Sequence, residues 1–182
     1  MYLFVDSESK RKMQEEVKRY NTSFLAHIAC YDSYYIGTYI HYLRLEEFYR
    51  SHTTMINRIL GGVYSVLRRR IGLRTGFNIP PFTCGYGILI SHIGNIIING
   101  KARIGKNVHL QPGVVVGKTT HDAFPVIGDN CYLCLGAKVF GAVKVGNNVM
   151  VAPNAVVTKD VDSNTIVGGV PAKFIKFRNK YC

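Results

Sequence analysis

The 182-residue sequence has no apolar run of the length that a membrane-spanning helix needs. Its first residues, MYLFVDSESKRK, lack the basic start and the long apolar core of a secretory signal peptide. The cysteines number five, an odd count, and no second CxxC motif accompanies the one at residues 131–134. Structural zinc sites commonly pair two such motifs, and secreted proteins commonly pair their cysteines. These absences predict a cytoplasmic protein with reduced thiols and no metal site.

Acidic residues are scarce. The chain has 23 Lys and Arg against 11 Asp and Glu, a net charge of +12, and neither Asp nor Glu occurs between Glu47 and Asp122. Such an excess predicts an anionic partner: a nucleic acid, a membrane surface or a phosphorylated small molecule. No nucleic-acid-binding motif is readable, and a basic charge alone is a weak indication. We therefore expect no nucleic-acid partner.

The second half of the sequence carries a six-residue repeat. Aliphatic residues stand six apart in two series, Ile98, Ile104, Leu110, Val116 and then Ile127, Leu133, Val139, Val145, Val151, Val157. Small or β-branched residues recur four positions later, at Ala102, Val108, Val114, Cys131, Ala137, Val143, Val149 and Ala155. A period of six does not match the 3.6-residue period of an α-helix. It is typical of a β-helix, and at three hexapeptides per coil it predicts about five coils.

The first half, residues 1–75, has helical character and is separated from the repeat half, 76–182, by GFNIPPFTCGYG with its paired prolines. Helical segments are predicted at 7–19, where Ser7 or Ser9 caps the helix, at 24–49 and at 53–73. The last segment has an apolar stripe at 3–4 spacing that is interrupted by two glycines, and it ends in three arginines. Arginines at this end stabilise the helix terminus, or they make the helix suitable for peripheral membrane contact.

Two departures from the repeat indicate functional positions. Counting back six from Ile98 reaches His92, so the repeat places a histidine where later coils have an aliphatic residue. Between Val116 and Ile127 the spacing is eleven, and the excess falls in segment 117–126, GKTTHDAFPV. A solenoid accommodates such an insertion as a protruding loop, often on the binding face. Local breaks in a pattern are where function is expected.

The repeat, the segment GYGILISHIGNIII, the inserted loop and the closing GGVPAK resemble bacterial acyltransferases with a left-handed parallel β-helix. More narrowly, they resemble the serine acetyltransferase branch, including its relatives in surface-polysaccharide gene clusters. The similarity covers roughly residues 76–178. It implies a mainly β fold, a left-handed parallel β-helix preceded by an α-helical region and followed by a basic C-terminal tail.

The resemblance implies acetyl transfer from acetyl-CoA to a hydroxyl without a covalent enzyme intermediate, and with His92 as the general base. A neutral imidazole suits this task near neutral pH. The family pairs its catalytic histidine with an upstream aspartate, but the matching position here, allowing a one-residue gap, is Asn78. The carboxylate partner would then come from the helical region, the loop or another subunit. Otherwise Asn78 or a backbone carbonyl orients the ring.

The acceptor is expected to differ from serine. Serine acetyltransferases carry a histidine immediately before a proline in the protruding loop, and here that position is Phe124, with His121 three residues earlier. An arginine expected beside the family histidine is also missing. An aromatic ring at the acceptor mouth suits stacking on a sugar, so a sugar hydroxyl of a surface polysaccharide is the expected acceptor. Serine is the alternative.

The acetyl-CoA phosphates give the positive charge an explanation. By similarity, CoA would lie along a groove between subunits of a homotrimer, and the residues expected to contact it are Gly117, Lys118, Ala137, Ala155 and Lys173. Two other classes of protein stay open. A metal enzyme such as the hexapeptide-repeat carbonic anhydrases needs a closely spaced histidine pair, which His92, His109 and His121 do not form. A non-catalytic scaffold of a glycan-synthesis complex would not bind CoA.

Overall fold

The computed structural model describes residues 5–119 and 123–178. The chain divides into two compact units, Met1–Phe77 and Asn78–Cys182. The first unit is helical, and the second is a β-solenoid of about five turns. The predicted fold class, a helical region followed by a hexapeptide-repeat β-helix, is confirmed.

Four α-helices make up the described part of the first unit: α1 (Ser7–Val17), α2 (Phe24–Ile28), α3 (Asp32–Arg50) and α4 (Met55–Thr75). The cap of α1 is Asp6, whose carboxylate accepts the Ser9 N–H at 2.8 Å, so the prediction of Ser7 or Ser9 as the cap was wrong. The helix predicted over 24–49 is divided in two, and Cys30 in the break has a positive φ of 54°. A left-handed residue ends a helix because it turns the chain away from the helical path.

The helix α4 runs without a break through Gly61 and Gly62, so the two glycines interrupt the apolar stripe and not the helix. A Cβ atom on Gly61 would lie 3.1 Å from Arg50 Cγ, which is a tight contact. The glycine therefore permits a close approach between α4 and α3, and this packing stabilises a helix that glycine alone would weaken.

The apolar stripe of α4 faces solvent in the single chain. Five of its seven members are between 47% and 71% exposed, Met55, Ile56, Ile59, Val63 and Val66, and the other two, Leu60 and Leu67, are half-buried. The buried face is formed by small and polar residues: Asn57, Gly61, Ser65, Arg68, Gly72 and Thr75. Arg68 donates from Nε to Glu46 at 2.6 Å and from Nη1 to the Tyr39 hydroxyl at 3.2 Å, which compensates its burial. In the described part of the chain, no helix is both long and apolar enough to cross a bilayer.

Short strands form the walls of the solenoid. They are β1 (Phe77–Asn78), β2 (Leu89–Ile90), β3 (Ile96–Ile98), β4 (Arg103–Ile104), β5 (His109–Leu110), β6 (Val115–Gly117), β7 (Val126–Ile127), β8 (Tyr132–Leu133), β9 (Lys138–Phe140), β10 (Lys144–Val145), β11 (Met150–Val151), β12 (Val156–Val157), β13 (Thr165–Gly168) and β14 (Lys173–Phe177). Three sheets result, in the orders β1-β3-β6-β9-β12, β4-β7-β10 and β2-β5-β8-β11-β13-β14. Neighbouring strands among β2 to β13 are parallel, and β14 runs antiparallel to β13.

The six-residue repeat forms the core of the solenoid. All ten aliphatic residues of the two series are at most 5% exposed. Ile127 pairs with Val145 and Leu133 pairs with Val151, a separation of three hexapeptides. Each coil therefore stacks its aliphatic side chains on those of the next coil, and this burial is the main stabilising contribution of the repeat.

Asparagines occupy one row of corners, where the backbone turns through the left-handed region. Asn107, Asn130, Asn148 and Asn164 have φ values between 54° and 60°. Asparagine tolerates this conformation better than other residues with a Cβ atom. The Asn148 amide also donates to the Asn164 side-chain oxygen at 2.9 Å, so the row links successive coils.

Candidate active site

His92 lies on a corner of the first coil that is two residues longer than the equivalent corner of the second coil. The corner comprises residues 91–96 in the first coil and 111–114 in the second. Since Ile90 pairs with Leu110, Ile90 holds the aliphatic position. The expectation that His92 occupies that position was wrong, because counting by six could not detect the two added residues. The His92 side chain is exposed to solvent and not packed inside the coil.

The longer corner follows from its sequence. Gly94 has a φ of 152°, and a Cβ atom there would lie 2.8 Å from Pro112 Cβ. Glycine is therefore needed for the close approach to the second coil. The Asn95 carbonyl accepts the Gly113 N–H at 2.6 Å, which attaches the far end of the corner to that coil.

Asn78 is exposed at the end of β1, and the neighbouring strand β3 is the one that follows the His92 corner. The pairing of Asn78 with His92 stays a prediction. Two carboxylates of the second unit serve the coil backbone: Asp129 accepts the Lys106 N–H at 2.7 Å, and Asp160 accepts the Lys144 N–H at 2.8 Å.

The residue before His92 takes part in a hydrogen-bond cluster that the sequence did not reveal. Ser91 Oγ lies 2.6 Å from His109 Nε2 and 3.1 Å from Gln111 Nε2. Gln111 Nε2 also lies 3.1 Å from the Tyr132 hydroxyl, and the His109 ring stacks on the Tyr132 ring at 4.4 Å. Burial lowers the pKa of His109. The repeat count did not reveal the cluster because residues that pair in neighbouring coils are expected to lie 18 positions apart. The longer corner makes this separation 20 between the first and second coils, and the inserted loop makes it 23 between His109 and Tyr132.

The inserted loop is described in part. His121, the second predicted acceptor residue, lies outside the described residues. Phe124 is half-buried, and the Lys101 ammonium group lies 5.0 Å from the centre of its ring. This cation–π contact occupies one face of the aromatic ring. Stacking on a sugar is thereby restricted to the opposite face.

The five residues predicted to contact CoA fall into two classes. Lys118 and Lys173 are exposed, and Gly117 is half-buried at the end of β6. Ala137 and Ala155 are fully buried, so their side chains cannot contact a ligand outside the coil. Their backbone groups are already paired within the solenoid: the N–H groups donate to the Cys134 and Ala152 carbonyls, and the carbonyls accept from the Val115 and Lys138 N–H groups. The predicted contact of Ala137 and Ala155 with CoA therefore stays a prediction, and it would have to use a second hydrogen bond to one of these carbonyls.

Cys131 and Cys134 are buried free thiols. Cys131 Sγ lies 3.1 Å from the Gly146 carbonyl, and burial raises the pKa of both thiols. Over residues 5–119 and 123–178, no three His, Cys, Asp or Glu side chains are grouped so that they could hold a metal ion. The arrangement is that of structural cysteines in the coil.

Curated proteins similar in sequence are serine acetyltransferases. Serine acetyltransferase 4 of Arabidopsis thaliana is 38% identical over 115 residues, which cover 61% of this chain and 32% of that protein. A putative serine acetyltransferase of Schizosaccharomyces pombe is 34% identical over 134 residues, covering 67% of this chain and 50% of that protein. The chain thus spans about a third to a half of the length of these relatives. No protein-family model matches the chain.

Solved structures share the fold. The serine acetyltransferase of Brucella abortus strain S19 in complex with coenzyme A superimposes with a TM-score of 0.70 at 22% identity, covering 95% of this chain and 68% of that one. The resemblance to hexapeptide-repeat acyltransferases of the serine acetyltransferase-like branch is confirmed.

Proposed function

We propose that this chain is an acetyl-CoA-dependent O-acetyltransferase in which His92 is the general base. The observation that carries the proposal is an exposed imidazole on an enlarged corner of a β-solenoid whose sequence is similar to serine acetyltransferases. An imidazole in solvent can reach an incoming hydroxyl, whereas one packed inside the coil could not. Geometry of this kind is the first requirement for a general base.

The reaction needs few groups. His92 takes the proton of the acceptor hydroxyl while the hydroxyl oxygen attacks the thioester carbonyl carbon of acetyl-CoA. Backbone N–H groups at a coil corner stabilise the oxyanion of the tetrahedral intermediate. When that intermediate collapses, the C–S bond breaks and the CoA thiolate takes the proton from the imidazolium. The ring is then neutral again, and the acetyl group has moved to the acceptor without a covalent enzyme intermediate.

Serine is the acceptor that we propose in place of the sugar hydroxyl expected from the sequence. The similar curated proteins are named as serine acetyltransferases, and this supports serine better than a sugar. The argument for a sugar rested on the aromatic ring of Phe124, and Lys101 occupies one face of that ring.

For the co-substrate, the similar Brucella structure holds coenzyme A. The exposed ammonium groups of Lys118 and Lys173 are suited to its phosphates. Gly117 adjoins Lys118, and a Cβ atom there would lie 3.2 Å from the Phe140 ring. The glycine therefore keeps the backbone free of a side chain beside the proposed phosphate contact.

A homotrimer is the proposed assembly. The apolar stripe of α4 is exposed in the single chain, and a contiguous apolar face of this kind marks an interaction site. Light scattering should give the mass of three chains, and the mass of one chain would contradict the proposal. A monomer that binds vesicles of anionic lipid would instead favour the predicted peripheral membrane contact.

The test is an assay of acetyl-CoA consumption with serine and with a panel of sugars and nucleotide-sugars. We expect turnover with serine, and His92→Ala should lower kcat by about 10²- to 10⁴-fold because the general base is lost. His52→Ala, which removes an exposed histidine at the end of α3, is the matched control and should retain activity. Full activity in His92→Ala refutes the assignment of the base. A wild-type chain that neither binds CoA nor transfers acetyl groups would favour the scaffold alternative.

A further inference from the structure

The near end of the His92 corner is attached to the second coil by side chains. Ser91 Oγ lies 2.6 Å from His109 Nε2 and 3.1 Å from Gln111 Nε2. The far end is attached by the backbone hydrogen bond already described. Since His92 directly follows Ser91 in the chain, the Ser91 contacts fix the peptide group from which the imidazole projects.

The hydrogens of this cluster can be assigned from its distances. An amide nitrogen can only donate, and Gln111 Nε2 lies 3.0 Å from His109 Nε2 and 3.1 Å from both Ser91 Oγ and the Tyr132 hydroxyl oxygen. A hydrogen on His109 Nε2 would face this amide donor, so Nε2 carries none and is an acceptor, and the hydrogen of Ser91 goes to it at 2.6 Å. His109 is then the neutral tautomer with its hydrogen on Nδ1.

His109 is a rigid acceptor. Its ring is stacked on Tyr132 with only 7° between the planes, and both residues belong to paired strands, β5 and β8. Ring stacking and strand pairing together hold Nε2 in place. A hydrogen bond from Ser91 to this immobile nitrogen therefore restricts the motion of the longer corner more than a hydrogen bond to water would.

We propose that His109 is a positioning residue: by accepting the Ser91 hydrogen, it fixes the corner that presents His92 for proton abstraction. This inference rests on the proposed acetyl transfer and deepens it. The cluster takes over part of the orienting role that an aspartate at position 78 would have. Asn78 can orient an imidazole but cannot stabilise an imidazolium as a carboxylate does.

The experiment compares full-length variants by acetyl-transfer kinetics and by hydrogen–deuterium exchange of the corner amides. His109→Phe keeps an aromatic ring on Tyr132 and removes the acceptor, and Ser91→Ala removes the donor. Both should lower kcat about 10-fold, leave the KM for acetyl-CoA within about 2-fold, and speed exchange in the corner about 10-fold. Ser91→Thr, which keeps a hydroxyl, should restore most of kcat. Tyr132→Phe is the control that removes a hydroxyl without touching the bond between Ser91 and His109.

A double variant tests the order of action. If His109 acts through Ser91, combining His109→Phe with Ser91→Ala should lower kcat no further than the larger single effect. Additive losses would overturn the inference, and so would unchanged exchange in both single variants or faster exchange with unchanged kcat. A wild-type chain without acetyl transfer would refute the proposed function, whereas faster corner exchange in the variants would still support the anchoring by His109.

Discussion

Acidification from pH 7 to pH 5 should destabilise the helical unit by about 2 kcal/mol, because His41 binds its proton more weakly in the folded chain than in the unfolded chain. Burial lowers the pKa of this α3 imidazole from 6.5 to about 4. His41 lines a cavity of about 320 Å³ whose other lining residues carry no carboxylate: Val17, Thr22, Tyr34, Gly37, Thr38 and Tyr42. Protonation would therefore place a charge at a buried position, where desolvation disfavours the charged form.

The sign of the effect follows from linkage. As the pH falls below 6.5, the unfolded chain takes up a proton at His41, while the folded ring stays neutral down to a pH of about 4. Protons therefore stabilise the unfolded state in this interval, and the stability present above pH 6.5 is lost as the pH falls towards 4. Relative to its value well above pH 6.5, the free energy of unfolding is lower by about 0.2 kcal/mol at pH 7 and by about 2 kcal/mol at pH 5, and the largest decrease from His41 is about 3.4 kcal/mol.

Urea unfolding followed by circular dichroism at about 222 nm measures this loss, because the helices of the first unit dominate that signal. His41→Gln should remove most of the difference between pH 7 and pH 5. Tyr42→Phe changes the same cavity without adding a titration, since burial raises the pKa of Tyr42 above its usual value. A wild-type difference below about 0.5 kcal/mol, or an undiminished difference in His41→Gln, would refute the reasoning.

Two further predictions concern charge. Arg44→Met should cost about 3–5 kcal/mol in urea unfolding, because Arg44 is 1% exposed and its loss removes two hydrogen bonds, of 2.7 Å and 2.9 Å, from the buried Glu16 carboxylate. Arg11→Met in an exposed α1 pair is the control and should cost less than about 1 kcal/mol, and equal costs would contradict the argument. Asn78→Asp should preserve or raise kcat in the acetyl-CoA assay if this position orients His92, and a large loss would show that the alignment is wrong.

Within the helical unit, periodicity located the helices and left their orientation undecided. The spacing of Met55, Ile59 and Val66 predicted one apolar face of α4, but it did not predict that this face is exposed to solvent in the single chain. The buried face includes Arg68, which becomes compatible with burial only through Glu46 and Tyr39, contributed by another helix. A pattern of apolar residues cannot indicate such a pairing, because the partners are distant in sequence.

The sequence by itself determined the solenoid, since a strict period of six can bury its aliphatic residues only by stacking coil on coil. It also identified His92 as the residue to test. Only the tertiary structure decided that Ile90, not His92, holds the aliphatic position, and that His109 lies beside Ser91. The physical reason is the register of strand pairing. The strands still pair although one corner has two added residues and the loop has five, so residues in contact are separated by more than the 18 positions that the repeat predicts.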